Sequence, residues 1–75
     1  METEIRKLLN KHFSLPENLS VDEPIFSSSL LDSLNSVQLI SILQKDFDVH
    51  IDPLEVSIED IDTVKKITKF LRHRI

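Results

Sequence analysis

Residues 30–47, Leu30-Leu31-Asp32-Ser33-Leu34-Asn35-Ser36-Val37-Gln38-Leu39-Ile40-Ser41-Ile42-Leu43-Gln44-Lys45-Asp46-Phe47, constrain the chain more than any other stretch. Asp32 and Ser33 each suit a helix N-cap, because a short oxygen-bearing side chain accepts a hydrogen bond from an orphaned N–H of the first turn. Leu39, Ile40, Leu43 and Phe47 then recur at helical spacing and make one apolar face. The pattern predicts a helix over Ser33–Phe47 whose inner face needs a cover. Leu34, Val37 and Ile42 lie off the centre of that face, and clustered apolar residues near one end of a helix can mark a docking surface.

The cover has to come from apolar packing. The chain has 75 residues and no cysteine, so no disulfide can reinforce it. A metal site is not expected either, since His12, His50 and His73 lie far apart and none pairs with another ligand at short spacing. Hydrophobic residues make up 40% of the chain, which suits a globular domain and is too many for a disordered one. The length fits one domain, residues 1–75.

Two further helices supply that packing. Ile5, Leu8, Leu9, His12 and Phe13 repeat at i, i+3, i+4, i+7 and i+8, which predicts a helix over Thr3–Phe13 with His12 at the edge of its apolar face. Val64, Ile67, Phe70 and Leu71 form the stripe of a last helix that begins at Asp62 or Thr63, both good caps. Between the first two helices lies a long connection, Ser14–Ser29. Pro16 and Pro24 keep it from being helical. A loop this long in so small a domain is ordered by its own side chains, and Leu15, Ile25 and Phe26 are expected to be buried. After Phe47, Pro53 starts a short, weak helix over Pro53–Ile58, although its β-branched residues also suit a short strand. The sum is all-α: a four-helix bundle of three longer helices and one short third helix, with a long first loop.

Charge narrows the function. Thirteen acidic residues against nine basic give a net charge of −4, which argues against a nucleic-acid partner. Only four phenylalanines supply the aromatic content, so there is no stacking platform for single strands. Lys65, Lys66, Lys69, Arg72, His73 and Arg74 crowd the C-terminus and read as a solvated helix face near the negative end of the helix dipole. No apolar run is long enough to span a membrane, and Met1-Glu2-Thr3-Glu4 is acidic where a secretory signal is basic. A cytoplasmic monomer is expected.

Local chemistry alone reads Ser33 as a cap. No general base lies near it in sequence, and the chain has no glycine to build an oxyanion hole, a nucleophile elbow, a phosphate loop or a dinucleotide fingerprint. A small hydrolase is therefore poorly supported. One feature favours modification: a phosphate attached at a helix N-terminus meets free N–H groups and the positive end of the dipole.

Over nearly its whole length the chain resembles the acyl carrier and peptidyl carrier proteins of the phosphopantetheine-binding family. The resemblance rests on Leu31-Asp32-Ser33-Leu34, then Val37, Leu39, Leu43 and Phe47, then Ile51-x-Pro53, then Ile61-Asp62-Thr63-Val64. Each piece is weak alone; their order and spacing are specific. The resemblance implies that Ser33, flanked by Asp32 and Leu34, carries a 4'-phosphopantetheine arm from coenzyme A, attached by a separate phosphopantetheinyl transferase. The arm's thiol would hold an acyl or aminoacyl group as a thioester, loaded by a ligase and passed to downstream transferases. The carrier itself would catalyse nothing.

Three departures sharpen the expectation. Family members often have glycine where this chain has Ser29, and serine is strained wherever φ must be positive. The second helix shows Gln38, Gln44 and Lys45 where fatty-acid carriers present acidic residues, with only Asp32, Asp46 and Asp48 near them. The whole chain is also less negative than those carriers are. Since charge complementarity governs encounter and partner choice, these departures point away from housekeeping fatty-acid synthesis. They point to a freestanding carrier of a dedicated pathway, and the Leu30-Leu31-Asp32-Ser33 run resembles D-alanyl and other aminoacyl carriers. Its docking surface is expected at Leu34, Val37, Gln38, Ser41, Ile42 and Lys45. Ile40, Leu54, Ile58 and Ile61 are expected to be core, or to line a space for cargo. The alternatives are the housekeeping carrier itself and a helical interaction module with no prosthetic group.

Overall fold

A computed structural model describes residues 1–74. Three α-helices form the frame: α1 (Glu2–Phe13), α2 (Ser33–Phe47) and α3 (Val64–Arg72). Two short 3-10 helices, Pro53–Glu55 and Ile58–Ile61, lie between α2 and α3. There is no strand among the described residues. The all-α expectation holds. The four-helix expectation fits loosely, because the helix expected over Pro53–Ile58 is a 3-10 turn that ends at Glu55, with a second turn following at Ile58–Ile61.

The chemistry of that segment explains the split. Asp52 caps the first turn by accepting from the Leu54 amide at 3.0 Å, with Pro53 in the first helical position. The turn stops at once, because β-branched Val56 sits in extended backbone. Ser57 then restarts the chain, its amide donating to Asp60 Oδ2 at 3.0 Å. With only three residues, the first turn has no inward face for Leu54, which is 95% exposed. The expectation that Leu54 is core or lines a cargo space is therefore wrong; Val56 packs against the core instead.

Each α-helix buries the stripe its spacing predicts. Ile5, Leu8 and Leu9 of α1, Leu39, Ile40 and Leu43 of α2, and Val64, Ile67 and Leu71 of α3 form one core. The stripes fade at the helix ends, where Phe13, Phe47 and Phe70 are only partly buried, and His12 is exposed. Buried Thr68, which breaks the apolar pattern of α3, donates its hydroxyl to the Val64 carbonyl at 2.9 Å and so is satisfied within its own helix.

The long first loop behaves as a packed element. Leu15, Ile25 and Phe26 are buried as expected, and so are Leu19 and Leu31. Polar bonds pin it on both sides. Arg6 Nε donates to the Leu19 carbonyl at 2.8 Å, and the Lys65 amide in the first turn of α3 donates to the Val21 carbonyl at 3.0 Å.

A chain without glycine must reverse direction with other residues. Ser14, Ser29 and Asp48 all adopt positive φ, at 58°, 68° and 51°. Ser14 and Asp48 end α1 and α2 in the left-handed conformation. Ser29, where family members often have glycine, adopts the left-handed conformation itself, and the serine bears the strain.

Candidate functional site

The start of α2 divides two roles that the sequence left on two neighbouring residues. Asp32 is the N-cap. Its Oδ1 accepts from the Asn35 amide at 3.0 Å, while the Asp32 amide donates to Asn35 Oδ1 at 3.0 Å. Asn35 Nδ2 then donates to Gln38 Oε1 at 3.0 Å, and Ser36 Oγ donates to the Ser33 carbonyl. Ser33 is the first residue of the helix, not its cap, and its side chain is exposed. No hydrogen bond among the described residues engages its hydroxyl.

The electrostatics around that hydroxyl suit an anion. The first-turn amides of Ser33 and Leu34 have no acceptor within the helix, and the dipole presents its positive end there. No acidic residue occupies the first turn. The adjacent carboxylate, Asp32, is already engaged by the Asn35 amide. The residues present therefore fit a phosphodiester on Ser33 Oγ.

The approach to Ser33 is anchored from the far end of the chain. Asp62, just before α3, accepts from the Phe26 amide at 2.8 Å and the Ser27 amide at 3.0 Å through Oδ1. Its Oδ2 accepts from the Ser27 hydroxyl at 2.7 Å. Its backbone carbonyl accepts from the Ile25 amide at 2.7 Å. Desolvation acts to raise the Asp62 pKa, but the Ser27 and Phe26 hydrogen bonds and the nearby Lys66 charge outweigh it and hold the carboxyl below its ordinary value. The sequence offered Asp62 as part of the Ile61-Asp62-Thr63-Val64 run and as an alternative cap. Thr63 takes that role, its Oγ1 accepting from the Lys66 amide at 3.0 Å. The signal for the real role of Asp62 is absent from local sequence, because its partners lie 35 and 36 residues away.

Beyond Ser33, the expected docking residues gather on one side of α2. Leu34 and Val37 are exposed at 74% and 60%. Gln38, Ser41 and Lys45 are exposed as well. Ile42 is half-buried and packs against the core. Val37, Gln38, Ser41 and Ile42 line an open groove of about 460 Å³ with His12 and Phe13 of α1, two neighbours the sequence did not bring to this surface. Gln44 is not a surface residue of this kind. It is half-buried, and its Oε1 accepts from the Ile51 amide at 3.0 Å, tying the end of α2 to the next turn.

Counting i, i+3, i+4 and i+7 from Ser33 gives Ser36, Val37 and Ile40. These line a second, smaller cleft of about 90 Å³ with Pro53, Val56, Ser57, Ile58 and Ile61. Ile40 and Ile61 are core, whereas Ile58 stands 41% exposed at its edge. Among the described residues no group of three His, Cys, Asp or Glu side chains is placed to hold a metal ion. None of the described helices is long and apolar enough to cross a membrane.

Fold and site together define a small helical domain that displays one hydroxyl at a helix N-terminus. A family profile described as the phosphopantetheine attachment site matches residues 3–71. The chain belongs to that family. It is similar to the D-alanyl carrier protein of Streptococcus mutans, at 30% identity over 67 residues that span 89% of this chain and 85% of the relative. It is also similar to the D-alanyl carrier protein of Lactobacillus acidophilus, at 43% identity over 53 residues that span 68% of this chain and 67% of the relative. A third D-alanyl carrier protein, from Lactobacillus helveticus, is 42% identical over 53 residues. No solved structure matches the chain significantly. The protein is thus a carrier: its prosthetic group is covalent 4'-phosphopantetheine, and it holds an acyl or aminoacyl group on that arm for a dedicated pathway. Carriers of this family work with ligases and transferases and are not themselves catalysts.

Proposed function

We propose that Ser33 is the attachment point of the phosphopantetheine arm and that the cargo is an aminoacyl group, with D-alanine the first candidate. One observation carries the attachment point. The Asp32–Asn35 pair caps α2 on its own, which leaves the Ser33 hydroxyl exposed and unbonded at the positive end of the helix. When bound, the arm supplies a thiol that forms a thioester with the cargo. The chain's own residues present the arm, and Leu34 flanks it.

The small cargo has two supports. The relatives above are D-alanyl carrier proteins. The cleft that continues the Ser33 face of α2 is about 90 Å³, smaller than the roughly 150 Å³ cavity that holds one benzene molecule. A long acyl chain does not fit such a space unless α2 and the 3-10 turns part.

Residues 1–75 act in this reading as one non-catalytic carrier domain, monomeric and cytoplasmic. Its partners are a phosphopantetheinyl transferase, an aminoacyl-loading ligase and a downstream transferase. They meet it through Leu34, Val37, Gln38, Ser41, Ile42 and Lys45. The lack of acidic side chains on that stripe favours partners whose docking faces are not strongly basic.

The test is direct. Protein incubated with coenzyme A and a broad-specificity phosphopantetheinyl transferase gains the mass of one phosphopantetheinyl group, and Ser33→Ala gains none. Modification of Ser33→Ala moves the site elsewhere. No gain in the wild type with several transferases favours an interaction module. Loading of the modified protein by a D-alanine-activating ligase, against the same assay with other amino acids and fatty acids, identifies the cargo.

A further inference from the structure

Ser33 lies in α2, yet the chain reaches it through a turn held by the start of α3. Ile25 is the link. Its amide donates to the Asp62 carbonyl at 2.7 Å, and its own carbonyl accepts from the Leu31 amide at 2.7 Å. Leu31 is buried and directly precedes the cap Asp32. The Asp62 carboxylate grips the next two residues, accepting from the Phe26 and Ser27 amides and the Ser27 hydroxyl. Phe26 in turn closes the strained reversal, its carbonyl accepting from the Ser29 amide at 3.0 Å, with Ser29 at positive φ. Two residues between this grip and the cap are thus tied to Asp62 by two successive hydrogen bonds, Ser29 through Phe26 to the carboxylate and Leu31 through Ile25 to the backbone carbonyl.

We propose that Asp62 is a positioning residue for the modification of Ser33: by gripping the 25–27 turn it fixes the path of Leu31 and Asp32 and so the orientation in which the Ser33 hydroxyl meets a phosphopantetheinyl transferase. The proposal rests on Ser33 being the attachment point. It assigns Asp62 no contact with the arm. Nor does Asp62 belong to the exposed stripe of α2 that meets the partner. A carboxylate suits the post, because its two oxygens accept three hydrogen bonds at once, two from backbone and one from a hydroxyl. An asparagine keeps one acceptor oxygen and turns the other position into a donor.

The test separates orientation from stability. Apo wild type, Asp62→Ala, Asp62→Asn and Ser27→Ala are compared at a temperature where circular dichroism shows each folded. The kcat and KM for the carrier are read from intact mass against time, with a broad-specificity transferase and saturating coenzyme A. Asp62→Ala is expected to lower kcat about tenfold and to leave KM within twofold, since the α2 stripe is untouched. Asp62→Asn, which retains the acceptor for the Phe26 and Ser27 amides, recovers most of the loss. Ser27→Ala, which removes only the hydroxyl contact, lowers kcat two- to threefold and carries the test if Asp62→Ala does not fold. A folded Asp62→Ala with wild-type kcat, or a loss confined to KM, overturns the proposal; for an unfolded Asp62→Ala, wild-type kcat in Ser27→Ala does the same. The amide NMR spectra give a second, independent reading. The Leu31, Asp32 and Ser33 resonances are expected to move in Asp62→Asn or Ser27→Ala, and unchanged resonances overturn the proposal. If the wild type itself takes no group, the assignment of Ser33 fails, while the spectra still decide whether Asp62 sets the local structure.

Discussion

Asp32 and Asn35 close a reciprocal pair of hydrogen bonds at the start of α2, each amide donating to the other's side-chain oxygen at 3.0 Å. The pair does what a serine cap would otherwise do, so Ser33 is released from structural duty. Loss of a cap costs about 1 kcal/mol. Asp32→Ala is therefore expected to lower stability by about 1 kcal/mol and Asn35→Ala by somewhat less. Ser33→Ala should stay within about 0.5 kcal/mol of wild type, as exposed substitutions do. Urea unfolding midpoints measure all three. A Ser33→Ala loss equal to that of Asp32→Ala would show that the hydroxyl is part of the cap after all.

Ser29 carries the cost of a chain with no glycine. Its φ of 68° lies where a side chain crowds the backbone. Ser29→Gly should relieve that crowding and raise stability by about 0.5–1 kcal/mol, net of the larger entropy glycine loses on folding. For a domain of this size that is a rise of several degrees in melting temperature. A thermal scan of the two proteins decides it, and a lower melting temperature for Ser29→Gly would mean that the serine is not strained.

These two sites show what was legible in the sequence and what was not. The bounds of α2, its buried stripe and the all-α class followed from periodicity and caps, which act within a few residues. So did the burial of Leu15, Ile25 and Phe26, because a long loop in a small domain has to be packed. The split of the third element was not legible: Pro53 announces a helix, but whether it lasts depends on Val56 and on a restart at Ser57, a balance of one or two hydrogen bonds. Leu54 was misplaced for the same reason. At the site, the motif pointed to Ser33 and the apolar stripe after it, whereas the grip of Asp62 and the groove shared with His12 and Phe13 come from contacts between residues far apart in the chain. Gln44 was counted as surface because a glutamine on a helix usually is.

Gln44 now supplies a sharper test. Its Oε1 is the acceptor for the Ile51 amide, and Ile51 is fully buried. Gln44→Ala should destabilise by about 1 kcal/mol, the usual net worth of such a bond together with an amide left unpaired. Gln44→Glu keeps an acceptor oxygen in place and should unfold within about 0.5 kcal/mol of wild type. Equal loss in both variants would show that the glutamine acts through packing rather than through its oxygen.

Lys45 is exposed on the same stripe as Gln38 and Ser41, so its charge is available to a partner but does little for the fold. Lys45→Glu should lower stability by no more than about 1 kcal/mol, since Lys45 lies in the last turn of α2 at the negative end of the helix dipole, and should change the KM of the cognate loading ligase several-fold, more at low salt than at high. Unaltered kinetics at every ionic strength would put the docking surface elsewhere.

The Asp62 grip also fixes the sign of a pH effect. Hydrogen bonds from Ser27 and Phe26, with help from Lys66, hold the native carboxyl below its ordinary value near 3.8. Well above that value both native and unfolded chains carry the charge, and the contribution of the grip is complete and flat with pH. As pH falls through the ordinary value, the unfolded chain takes up a proton that the native chain still refuses, so the unfolded state gains and stability drops. The contribution is gone once pH passes below the native value. Asp62→Asn cannot titrate, so the gap in unfolding midpoint between it and wild type should be constant from pH 7 to about pH 5 and should shrink steadily toward pH 2–3. Parallel urea titrations at pH 6 and pH 3 measure the gap. A gap that stays constant, or widens in acid, would mean that the carboxylate is not held by these bonds.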